Sequence, residues 1–235
     1  MEAEIPLVRR RRASVRLCNV KSCPTELLEI PAEDPSIVVL FIPGNPGIVG
    51  FYRDFIEEVY EQLNGSASVT GKDLVFPIRL LGIYVIRERS PFFSAAISSC
   101  AALLGLFPKW ASSSLVKSSV GKSWSSTAVD ATCNDLLQYH TVRNALYMAM
   151  TEFKKLSEDP DWMFIRGKRD RIAFLFGIDD HWGPLSLFEK ISTLVPEISL
   201  SIEREGHTHA FCCTNAGSVW VASHVARLIK HRMPS

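Results

Sequence analysis

Apolar and polar positions alternate over Val15–Val20 (VRLCNV) and again over Glu26–Ile30 (ELLEI). This period of two is the mark of half-buried strands. Ser22-Cys23-Pro24 lies between them and predicts a turn, so the chain opens with an antiparallel hairpin. Ser36–Ile42 (SIVVLFI) follows another pattern, a continuous β-branched and aromatic run between Pro35 and Pro43. Such runs are strands buried on both faces of a parallel sheet. The run stops at Pro43-Gly44-Asn45-Pro46-Gly47, where a spacing of four takes over. Phe51, Phe55, Val59 and Leu63 form the apolar stripe of a helix, with Tyr52 and Tyr60 beside it. Arg53, Asp54, Glu57 and Glu58 take the opposite side, and Asn64-Gly65 is the stop. Strand, loop and helix in this order build a doubly wound α/β sheet.

Ala67–Thr70 starts a further strand, and Leu80–Ile86 (LLGIYVI) predicts another, with no helical segment between them. Thr141–Lys155 is helical, with Leu146, Met150 and Phe153 on one side. Arg171–Phe176 (RIAFLF) is a second buried strand and ends in the acidic turn Gly177–Pro184. Leu185–Val195 is a helix closed by Pro196, Ile198–Ile202 a short strand, Glu205–Phe211 a histidine-bearing loop, and Ser218–His231 a final helix. No internal repeat interrupts the series. The pattern is that of one domain over residues 1–235, with a basic arm over 1–12 and a hydrophobic lid or anchor insert over 90–127.

Composition narrows the function classes. The chain has 235 residues, 47% hydrophobic and 22% charged, with a net charge of +1, enough apolar material for one sizeable core. That balance argues against a disordered chain and gives no broad basic field for nucleic acid. The six cysteines form no regular framework, and the first residues lack the apolar core of a signal peptide, so free thiols in a cytosol-facing compartment are expected. Arg9–Arg12 is a solvated arm or an attachment to anionic lipid head groups. Gly121-Lys122-Ser123 fails as a phosphate loop, because Val116 stands where the first glycine belongs. His207, His209, Cys212 and Cys213 fit no common zinc spacing, and no metal or cofactor is implied. One stretch stands apart: the 19 residues from Ser90 to Pro108 carry no charge. It is a membrane span, a buried helix or an interfacial hairpin. Its serines and prolines favour the last, with Phe92, Phe93, Ile97, Leu103, Leu104, Leu106, Phe107 and Trp110 facing lipid.

The C-terminal third carries the chemistry. Asp180 and His209 are 29 residues apart, room for one helix and one strand, so both side chains leave the same edge of a parallel sheet. An aspartate holding a histidine in its working tautomer is the supporting half of a Ser–His–Asp triad. Asp179 and Asp180 also suit a helix N-terminus, and His224 and His231 read as surface residues. Gly44 permits close backbone approach to a ligand, and Asn45 or Gly47 would donate N–H groups that Pro46 cannot.

FIPGNPGIVGFY (Phe41–Tyr52), LFGIDDHWGP (Leu175–Pro184) and GHTHAF (Gly206–Phe211) together resemble the lipid droplet-associated hydrolases, over residues 13–70 and 90–235. The resemblance implies an α/β-hydrolase-like, mostly parallel sheet flanked by helices. It implies serine-type cleavage of carboxylic esters of stored lipid, sterol esters or acylglycerols, at the lipid droplet or endoplasmic reticulum surface. Within it, Asp180 is the acid, His209 the base, and Gly44, Asn45 and Gly47 the oxyanion loop. The chain departs from the family in one respect. No Gly-x-Ser-x-Gly turn occurs in it, and Ser66–Arg89 is too short for the strands and helices that should frame one. Ser90, Ser94 and Ser98 lack the strand-to-helix turn of a nucleophile. The expectation is an internal deletion near Gly71-Lys72, a sheet truncated at its centre and negligible turnover. The alternatives are a non-catalytic lipid-surface protein and a soluble α/β binding protein.

Overall fold

The computed structural model describes residues 11–20, 23–73, 91–120, 123–156, 158–207 and 209–233. The expected strand Leu80–Ile86, together with Arg9, Arg10 and Ser90, lies outside them. The chain divides into two compact units, Met1–Ala149 with Cys212–Ser235, and Met150–Phe211.

In the first unit β1 (Ser14–Val20) and β2 (Cys23–Ile30) pair antiparallel, from Ser14 opposite Glu29 to Val20 opposite Cys23. The hairpin is tighter than the sequence suggests. Cys23 and Pro24, expected in the turn, are paired residues of β2, and only Lys21 and Ser22 separate the strands. β3 (Ile37–Phe41) runs parallel to β4 (Ala67–Lys72), and the sheet order is β1-β2-β4-β3. β3 therefore lies at an edge. Val38 is 73% and Leu40 62% exposed, so burial on both faces, expected from the apolar run, does not occur. Among the described residues no strand pairs with its outer side.

The chain leaves β3 through Pro43–Gly47, with a cis peptide between Asn45 and Pro46, and enters α1 (Arg53–Gln62) after a 3-10 turn at Val49–Tyr52. Phe55, Ile56, Val59 and Leu63 bury their apolar stripe in a core shared with Leu28, Ile30, Ala67 and Val69. Glu57 and Glu58, expected on an outer face, are only 5% and 6% exposed. The reason is that α1 is covered on a second side, packing on α8 (Asn215–Arg232), while Glu57 accepts hydrogen bonds from Ala13 N–H at 3.0 Å and Arg12 Nη1 at 2.9 Å. The same contacts involve the last two residues of the expected arm, whose first ten lie outside the described residues. Arg12 bonds Glu57, and Arg11 Nη1 reaches the Tyr60 hydroxyl, so residues 11 and 12 are held on α1.

The apolar stretch folds as α2 (Pro91–Gly105), followed by α3 (Lys109–Val120). α4 (Ser126–Ala131) starts at Ser125, whose hydroxyl accepts Ala128 N–H, and continues into a π-helical turn at Thr132–Leu136. α5 (Tyr139–Leu156) follows. α8 is capped by Thr214, whose hydroxyl accepts Gly217 N–H. His231 is exposed as expected, whereas His224 is half-buried and its ring stacks on Trp220 at 5.6 Å.

The second unit is a β-α-β unit. α6 (Trp162–Gly167) is capped by Asp161 and precedes β5 (Ala173–Gly177), then α7 (Leu185–Leu194) and β6 (Ser199–Glu203). β5 and β6 pair parallel, from Ala173 opposite Ser199 to Gly177 opposite Glu203. Phe176, Ile191, Val195 and Ile198 form its core, with Trp162, Ile165, Phe174 and Phe188 packed around them. Within β5 only Phe176 is buried, because the sheet of this unit has two strands. Arg171, expected in the strand, closes the preceding 3-10 turn.

Candidate active site

The parallel pairing of β5 and β6 places Gly177 beside Glu203, so the loops that follow both strands leave one edge of the second unit. The acidic loop bends at once, with Asp180 N–H donating to the Gly177 carbonyl at 3.3 Å. Gly177 suits the tight approach: a Cβ there would sit 3.3 Å from Asp180 Cβ, so the loop would have to give by a few tenths of an ångström. His209 Nδ1 lies 2.8 Å from Asp180 Oδ2, and Trp182 N–H donates to Oδ1 at 2.8 Å. The carboxylate side chain is 11% exposed and the imidazole 64%. Burial pushes the Asp180 carboxyl up, but the bonds from His209, Trp182 N–H and Gly183 N–H outweigh it and hold the group below its ordinary value. A carboxylate fixed against Nδ1 leaves Nε2 to exchange a proton with a reacting group. The Trp182 ring stands 6.3 Å from the imidazole. Helix capping, the other reading of Asp179 and Asp180, does not hold: α7 begins at Leu185 and its N-cap is Pro184.

One neighbour, Glu203, escaped the sequence reading. Glu203 closes β6 at 3% exposure, and its Oε1 accepts Glu205 N–H. An isolated glutamate in a short strand carries no motif; the signal available was a charged residue at an inward position just before the histidine loop. His207 is 16% exposed and sits 3.9 Å from the Glu205 carboxylate.

The Pro43–Gly47 loop belongs to the first unit. Gly47, at φ +81°, donates its N–H to the Gly44 carbonyl at 2.7 Å. Asn45 Nδ2 donates to the Ala145 carbonyl at 3.1 Å. The Tyr52 hydroxyl accepts Gly44 N–H and bonds the Cys212 thiol. Burial first, and then that thiol, push the phenol well above its usual range. Tyr52, the last residue of FIPGNPGIVGFY, thus braces the turn that opens the motif.

Of the residues expected to face lipid, Phe92 (85%), Leu106 (80%) and Trp110 (78%) are the most open. Leu103, Leu104 and Phe107 are also exposed, Ile97 is half-buried, and the side chain of Phe93 lies outside the described residues. Among the described residues no helix is long and apolar enough to cross a membrane, which removes the spanning reading for α2. Ser98 is fully buried, and its hydroxyl donates to the Ser94 carbonyl one turn earlier, a bond within α2.

Parallel strands flanked by helices, with an aspartate and a histidine meeting at adjacent strand ends, define an α/β-hydrolase. Solved structures share this fold across the chain. An epoxide hydrolase from Vigna radiata aligns at TM-score 0.51 and 13% identity over 94% of this chain and 99% of its own. A serine hydrolase involved in carbazole degradation aligns at 0.52 and 14% identity over 93% and 98%. The thioesterase domain from the curacin biosynthetic pathway aligns at 0.50 and 10% identity over 94% and 100%. The family model described as lipid-droplet associated hydrolase matches residues 35–75 and 81–212, and the chain belongs to this family. No curated protein matches it. The break between the two matched segments, at 76–80, falls inside Ser66–Arg89, the stretch expected to be too short for the elements that frame a nucleophile turn.

Proposed function

We propose that the chain is a lipid-droplet hydrolase scaffold: a lipid-surface protein that retains the acid–base half of an ester-cleaving site and lacks its nucleophile. The observation that carries this reading is the 2.8 Å contact between Asp180 and His209 in a chain without a Gly-x-Ser-x-Gly turn. In relatives with the serine, the substrate is a carboxylic ester of stored lipid, a sterol ester or an acylglycerol. His209 Nε2 would take the serine proton, Asp180 would stabilise the imidazolium, and the Gly44–Gly47 loop would receive the oxyanion. Here His209 has nothing to activate. A triad enzyme stripped of one member keeps only about 10³–10⁴-fold over water. The absent segment is an internal deletion near Gly71-Lys72, and the shortness of Ser66–Arg89 supports that origin. Exposed Phe92, Leu106 and Trp110 support attachment to a lipid droplet or endoplasmic reticulum surface from the cytosolic side.

The test is labelling of the purified chain with a fluorophosphonate, with p-nitrophenyl butyrate turnover measured beside His209→Ala. No labelling and equal background turnover are expected. Labelling that disappears in His209→Ala would reveal an active nucleophile and overturn the inactive reading.

A further inference from the structure

Glu203 makes two contacts at the edge where Asp180 and His209 meet. Its backbone carbonyl accepts Ile178 N–H at 3.1 Å, holding the start of the acidic loop. Its side-chain Oε1 accepts Glu205 N–H, holding the start of the histidine loop. Gly206 follows at φ +82° and turns the chain toward His207 and His209. The residue therefore touches both loops, and its side chain touches only the one that carries the base.

Packing does not account for it. Glu203 is 3% exposed, and its Oε2 has no hydrogen-bond partner among the described residues. A buried carboxylate oxygen without a partner is unfavourable relative to an apolar side chain of the same size. Buried polar groups of this kind concentrate where a site needs them. Among the described residues the carboxylate's hydrogen bond closes the strand-to-loop turn six residues before His209.

We infer that Glu203 is a positioning residue, whose carboxylate sets the histidine loop so that His209 Nδ1 meets Asp180. It touches no reacting atom and acts through His209. The inference rests on the Asp180–His209 pair as the family's acid–base half, and its test reads ring geometry, not hydrolysis, so an inactive chain does not affect the outcome.

The experiment compares wild type, Glu203→Met and Glu203→Gln in the full chain by ¹⁵N chemical shifts of the His209 ring, with thermal melting measured in parallel. Met fills the same space without an acceptor, and Gln keeps the acceptor without the charge. Asp180→Asn gives the shifts of a ring without its carboxylate. In wild type and Glu203→Gln the Nδ1-protonated tautomer is expected to predominate. In Glu203→Met the shifts should move most of the way to those of Asp180→Asn, while melting stays level or rises. Should Glu203→Met not fold, Glu205→Pro removes the donor of the same bond and must give the same shifts. Wild-type shifts in Glu203→Met, or an equal loss in Glu203→Gln, would overturn the inference. So would a wild-type ring already matching Asp180→Asn.

Discussion

Asp180 is sheltered and His209 is open, yet the two share a 2.8 Å contact: the carboxylate is 11% exposed and the imidazole 64%. The asymmetry suits their division of work. The acid is held by donors on three sides, while the base presents its free edge outward. It also makes the pair measurable in isolation, because each partner responds differently to loss of the other.

The Asp180 carboxyl lies below its ordinary value although burial pushes it up. The stability it contributes is therefore present above the unfolded carboxylate range, near pH 3.9, and is lost as pH falls through the lower folded value. In His209→Ala burial remains and the strongest opposing bond is gone, so the midpoint should move upward. Carboxyl ¹³C titration of Asp180 in both proteins checks the direction. An unchanged midpoint would show that the 2.8 Å contact does not persist in solution.

Gly71 sits in β4 under α1, where an added Cβ would fall 2.5 Å from Val49 Cγ2 and 2.6 Å from Ile56 Cδ1. Both neighbours belong to the core, so neither can swing into solvent. Gly71→Ala should cost about 1–3 kcal/mol by overpacking. Gly167, at the end of α6, has nothing within 4 Å of its Cβ position, and Gly167→Ala should be neutral or slightly stabilising. Urea denaturation of the two variants separates steric cost from a general intolerance of side chains.

Glu57 joins the N-terminal strand to α1 by accepting Ala13 N–H and Arg12 Nη1. Glu57→Ala leaves a buried backbone donor unpaired, which should cost about 1–3 kcal/mol. The Arg12 side chain is itself 75% exposed and its loss leaves Glu57 the Ala13 N–H bond, so Arg12→Ala should cost under about 1 kcal/mol. Equal losses in chemical denaturation would place the effect in the ion pair, against this ranking.

The order of elements was legible where local pattern carries it: alternation for β1 and β2 and the four-residue spacing for α1; α4, capped by Ser125, and the start of α8 at its Thr214 cap carry no such periodic signal. The Asp180–His209 contact was legible because spacing alone fixes two adjacent strand ends. Burial was less so. Ser36–Ile42 reads as a central strand, but Val38 and Leu40 are exposed, because among the described residues nothing covers their face of β3, and no sequence pattern reports a missing cover. Glu57 and Glu58 read as an outer face, and only the packing of α8, more than 150 residues downstream, encloses them. The Tyr52–Gly44 and Glu203–Glu205 bonds depend on side-chain placement that composition does not encode.

The exposed apolar residues of α2 and α3 give the last prediction. Phe92, Leu106 and Trp110 are each at least 78% exposed; the first two lie in the uncharged run and Trp110 just beyond it, after Lys109. Burying each such side chain in acyl chains is worth about 1.5–3 kcal/mol. Flotation with phospholipid-coated triolein droplets should carry the full chain upward, and the triple variant Phe92→Glu, Leu106→Glu, Trp110→Glu should lose at least about a hundredfold in affinity on the same scale. Because these positions are exposed, the variant should fold with unchanged circular dichroism, so lost flotation reads as lost lipid contact. If the variant floats like wild type, α2 and α3 do not attach the protein, and the lipid surface must be met by another part of the chain.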